Sequence, residues 1–80
     1  MKNTNEIIEK IKSRYLLFRH FRDFWLVQAS AERELGRKKN EKQSMEMYQE
    51  YQNRLTELAE LFSFITGLDW CDSIRELLKD

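Results

Sequence analysis

The chain has one histidine and one cysteine among its 80 residues, and neither has the company that catalysis or metal binding requires. His20 lies between Arg19 and Arg22 with no second imidazole to share a metal, and its plainer role is a surface histidine beside Asp23. Lone Cys71 can form no intramolecular disulfide and reads as a small core residue. A serine-based triad is not credible with a single histidine, and no glycine-rich phosphate loop is present. Glu46, Glu50, Glu57 and Glu60 give the middle of the chain a run of carboxylates, but di-metal bundles need Glu-x-x-His pairs, so these are expected to form a solvated face. Arg14, Arg22, Glu32 and Arg54 fall near apolar stretches and could line an anion pocket between helices. Aliphatic stems snorkelling past a core edge are the plainer reading. The expectation is therefore no catalytic residue, no metal and no cofactor.

Binding is the chemistry that remains. Arg33, Arg37, Lys38, Lys39 and Lys42 place five cations within ten residues, enough to grip a phosphate backbone. Against that reading stand a formal net charge of zero, from 14 basic and 14 acidic residues, and the interleaved Glu32, Glu34 and Glu41. Glu34 and Lys38 have the spacing of a helical ion pair. Cations here would also complement the C-terminal end of a helix dipole. Nucleic-acid binding is accordingly the second expectation, behind binding to protein.

The elements that must carry these residues follow from punctuation. Proline is absent and glycine occurs only at positions 36 and 67, which divides the chain into three helical segments. Asn3 with Glu6 resembles a capping box, so helix 1 is expected over about 4–35, with Gly36 left-handed at its end. A turn over 36–40, with Asn40 as the next N-cap, leads to helix 2 over about 41–66. Tyr48, Tyr51, Leu55, Leu58, Phe62 and Ile65 alternate spacings of three and four, the narrow seam of a helix packed on one neighbour. Thr66-Gly67-Leu68 reads as a Schellman stop, and Asp69 as the cap of a short helix 3 over about 70–79, with Cys71, Ile74 and Leu78 on one face and Trp70 and Leu77 beside them. The fold class is all-α: an antiparallel helical hairpin of two long helices plus a short third helix, completing a bundle by self-association.

A turn centred near residue 38 makes facing residues sum to 76 or 77, pairing Trp25 with Tyr51, Phe21 with Leu55, Phe18 with Leu58, Tyr15 with Phe62 and Ile11 with Ile65. On a wheel at about 100° per residue, the apolar side of helix 1 spans roughly 200°, more than one partner helix covers. Helix 3 should shield the half near the open end, which leaves the hairpin tip bare. Trp25, Gln28, Met47, Tyr48 and Tyr51, with Ala29 and Met45 nearby, are thus the expected interface for a homodimer or a protein partner. Leu16, His20, Asp23 and Val27, at spacings i, i+4, i+7 and i+11, form a possible second surface. The charged opening MKNTNEIIEKIK does not resemble a secretory signal, and no apolar run approaches about 18 residues. With a single thiol, the expected setting is the reducing cytoplasm, and the expected role is that of a small inhibitor, adaptor, immunity-type or mobile-element accessory protein.

Overall fold

The computed structural model describes residues 4–79. They form three helices and no strand: α1 (Thr4–Glu34), α2 (Lys38–Thr66) and α3 (Trp70–Leu77). The first two pack as an antiparallel hairpin, and α3 folds back against it near the open end. The proposed Asn3 cap lies outside the described residues.

The hairpin turn is tighter than the sequence suggests. Gly36 takes a left-handed φ of 71°, its N–H donates to the Arg33 carbonyl at 3.1 Å, and the Arg37 N–H donates to the Glu32 carbonyl at 2.9 Å. These two bonds are a full Schellman closure, which satisfies the last carbonyls of α1 without any side chain. Only Leu35, Gly36 and Arg37 separate the helices, so α2 begins at Lys38 rather than at residue 41. Arg37 occupies the N-cap position and makes no side-chain cap bond. Asn40 is not a cap: it sits inside the first turn of α2 and donates to Glu32. Glu34 and Lys38 end up on different helices, so their expected ion pair does not form.

Moving the turn moves the register. Facing partners now sum to 72–74, as in Arg22 with Gln52, Glu32 with Asn40 and Arg33 with Glu41. That is a displacement of about one helical turn from the expected pairing. Tyr51 consequently stacks on Phe18 and Phe21, with ring centroids 5.8 and 5.5 Å apart, instead of meeting Trp25 ring to ring. Small Ala29 and Ser44 are both buried near the tip, where large side chains would hold the helices apart.

The core lies toward the open end, where Ile11 and Tyr15 of α1 meet Leu55, Ala59 and Phe62 of α2 and Leu77 of α3. At the end of α2 a single bond from the Gly67 N–H to the Ser63 carbonyl closes the helix, and Leu68 N–H turns to the Thr66 hydroxyl. This is the simpler left-handed stop, not the expected Schellman motif. Asp69 caps α3 as expected, accepting from the Asp72 N–H at 2.8 Å. The inward face of α3 differs from expectation: Ser73 and Leu77 are fully buried with Ile74 beside them, while Cys71 is exposed and Leu78 is 40% exposed. The hydroxyls of Ser63 and Ser73 both reach the Leu68 carbonyl. Anchoring Ser73 there rotates α3 and turns Cys71 outward. Just past the end of α3, Lys79 donates to Glu76 at 2.7 Å and lowers its carboxyl pKa, with Lys12 of α1 acting in the same direction.

Two outcomes follow. Nothing lies within 4 Å of a Cβ added at Gly36, so Gly36→Ala should cost about 1–2 kcal/mol through backbone conformation alone, read as a lower urea midpoint. Gly36→Asn should lose less. Cys71 should react fully with Ellman's reagent in the folded protein at the rate of an unfolded-chain thiol; protection until unfolding would refute the orientation of α3.

Candidate interaction surface

The short α3 covers one flank of the hairpin and leaves the other bare. Trp70 and Ile74 lie over Tyr15, Gln52, Leu55, Thr56 and Ala59. On the uncovered side Ile7, Leu17, Phe21 and Phe24 of α1 and Leu61 of α2 are all more than one-third exposed, with Phe24 at 52%. The expected shield at the open end is one-sided, because α3 docks to one flank of the hairpin instead of across both helices, and toward the tip Leu26, Val27, Leu35 and Met45 stay exposed. Phe21 lines the second groove, with no α3 residue over it.

Two open grooves lie on this flank, and no α3 residue lines either. One, of about 340 Å³, is bounded by Glu6, Ile7, Lys10, Ile11, Arg14, Leu58 and Leu61. The other, of about 330 Å³, lies between His20, Phe21, Phe24, Trp25 and Tyr51. Arg54 stands near the middle, its guanidinium 5.9 Å from the Phe18 ring and 5.5 Å from the Tyr51 ring, with Glu50 paired to it at 2.9 Å. Cation–π contact of this kind leaves charge at the edge of an aromatic surface and is common at protein interfaces.

The expected interface residues divide between this flank and the hairpin seam. Trp25 is half-buried and meets Phe24 edge to face, with centroids 5.1 Å apart at 79°. Tyr51 is half-buried beneath the second groove. Gln28 is half-buried and donates to Glu32 at 3.1 Å, so its amide supports the tip instead of facing a partner. Met47 and Tyr48 are half-buried, Met45 is exposed and Ala29 is buried. Phe24, Leu17 and Leu61 were missed as interface candidates; the width of the helix 1 apolar arc was the signal that pointed to the first two.

The second candidate surface keeps its spacing along α1, with His20, Asp23 and Val27 exposed. Leu16 is half-buried, Val27 is 69% exposed, and Asp23 is held by Arg22 at 3.0 Å. His20 also lines the rim of the second groove, 6.1 Å from the Phe21 ring.

At the tip the five cations separate into two kinds. Arg33 pairs with Glu41, and Arg37 lies 3.8 Å from Glu32, which is buried and also accepts from Gln28 and Asn40. Lys38, Lys39 and Lys42 are exposed and have no carboxylate partner among the described residues. The four groups considered for an anion pocket do not converge. Arg14 lines the first groove, Arg22 reaches Gln52 at 3.0 Å, Arg54 stands over the aromatic rings, and Glu32 lies at the tip. Among the described residues no cluster of histidine, cysteine or carboxylates could hold a metal ion, and no helix is long and apolar enough to cross a membrane. No family model, curated protein or solved structure matches this chain.

Proposed function

We propose that this chain acts by binding another protein through the open flank, without catalysis, and that a homodimer is its resting state. Continuous apolar exposure along one side of the hairpin supports this reading. Soluble monomers rarely leave large contiguous apolar patches in water, and here Ile7, Leu17, Phe21, Phe24 and Leu61 share one flank with two grooves. Aromatic rings and arginine are the side chains enriched where proteins meet. A small inhibitor, adaptor, immunity-type or mobile-element accessory protein would use such a face.

The unpaired Lys38, Lys39 and Lys42 favour a second reading, contact with a nucleic-acid backbone at the tip. Such binding would be salt-sensitive and indifferent to sequence.

Affinity capture with the tagged chain separates the two. Placing glutamate at Leu17 and Phe24 removes two large apolar contacts worth about 3 kcal/mol together, so it should weaken retention of a protein partner about a hundredfold. The variant carrying Lys38→Glu, Lys39→Glu and Lys42→Glu should retain that partner. Undiminished retention by the flank variant would refute the reading. Low-salt retention of DNA or RNA, lost in the lysine variant alone, would favour the second.

A further inference from the structure

The shape and charge of the open flank fit a helix: we propose that it takes an acidic, amphipathic helix of another protein, laid along the trough between α1 and α2 with its carboxylates on Lys10 and Arg14. This rests on the reading that the flank binds protein, and it names the partner's structure and charge.

Two seams run along α1, and only one of them has a long helix packed on it. Ile11, Tyr15, Phe18, Arg22, Trp25 and Ala29, at alternating spacings of four and three, are buried or half-buried on the side that meets α2. Ile7, Lys10, Arg14, Leu17, Phe21 and Phe24 repeat the alternation about a quarter-turn away, and every one of them is exposed. Such spacing keeps a stripe straight beneath a neighbouring helix. The second stripe runs for about 25 Å at 1.5 Å per residue, and no helix among the described residues lies over its two grooves.

The opposite flank shows how this hairpin receives a helix. There α3 sets Leu77 among Ile11, Tyr15, Leu55, Ala59 and Phe62, and its Glu76 carboxyl, besides bonding Lys79, feels the charge of Lys12 on α1. Apolar anchors with a carboxylate toward an α1 cation are thus a pattern the molecule already uses. On the open flank Lys10 and Arg14 line the first groove beside Ile7, Leu58 and Leu61, and neither has a carboxylate partner among the described residues. Glu6 is the one carboxylate lining either groove. A second copy laid flank to flank therefore returns more cations than carboxylates, whereas an acidic helix complements both cations. The grooves centre near residues 10 and 22 of α1, about 18 Å apart, a span matched by two large apolar side chains about three turns apart on one helix face.

A display selection of random peptides of about 20 residues, long enough to span both grooves, on the immobilised full chain tests this, with anisotropy titration of the recovered sequences. Those peptides should be helical when bound, with large apolar residues about eleven apart and Asp or Glu within a turn of one of them. The variant carrying Lys10→Glu and Arg14→Glu should bind them about tenfold more weakly with its helical circular dichroism retained, and lysine in place of the peptide carboxylates should restore binding to that variant. Recovery of neutral or basic sequences, or no loss on charge reversal, would overturn the acidic helix; the flank reading would stand if the Leu17 and Phe24 variant still lost the peptide. Binding indifferent to both variants would overturn both. Recovery of no peptide would also overturn the acidic helix, and the chain's retention on phosphatidylglycerol vesicles or its sedimentation as a dimer would then put a lipid surface or a second copy in its place.

Discussion

The left-handed closure at Gly36 is the constraint on which the rest of this structure depends. A turn of three residues, sealed by two backbone hydrogen bonds, leaves the helices no freedom to slide past one another. It places Tyr51 against Phe18 and Phe21, Arg22 against Gln52, and small Ala29 and Ser44 at the tip. Which residues face the core and which face outward follows from that one geometry. A longer turn of five residues would rotate a different set of side chains into the seam.

Once the hairpin is set, the chain has too little material left to cover it. The eight-residue α3 is about 12 Å long, and the Ser73 and Ser63 hydroxyls both engage the Leu68 carbonyl, tying α3 to the end of α2. It seals one flank. The other keeps Leu17, Phe21, Phe24 and Leu61 in contact with solvent, and hydrophobic burial by a partner offers the largest available gain in free energy. Polar chemistry offers no comparable focus. Several charged groups close to the apolar surface are engaged one by one: Arg54 with Glu50 and two rings, Arg22 with Asp23 and Gln52, and Glu32 with Gln28, Asn40 and Arg37. They stiffen the edges of the surface and do not converge on a common point.

Helix content and the hairpin were legible because a chain without proline announces its breaks through glycine, and because the seam of Tyr48 to Ile65 has an unambiguous period. The turn length was not. Lys38, Lys39 and Asn40 suit a first helical turn as well as a loop, and only the backbone bonds of the Schellman closure decide between them. That ambiguity of three residues became a register error of one turn. The orientation of α3 was hidden for a different reason: one of its two fully buried positions, Ser73, is a serine, which reads as polar until its hydrogen-bond acceptor is known, so apolar periodicity selected Cys71 and Leu78 for the inward face. The broad apolar arc of helix 1 correctly signalled a surplus. Its location along a flank depended on where α3 docks, which no local pattern encodes.

The most direct test of a covered flank is oxidative footprinting of side chains in the folded protein, resolved by mass spectrometry. If the flank is a working interface, Phe21 and Phe24 should be labelled far less than their exposure in a single copy implies, while Trp70, 47% exposed on α3, should be labelled freely. Labelling of Phe24 in proportion to its 52% exposure would contradict the account.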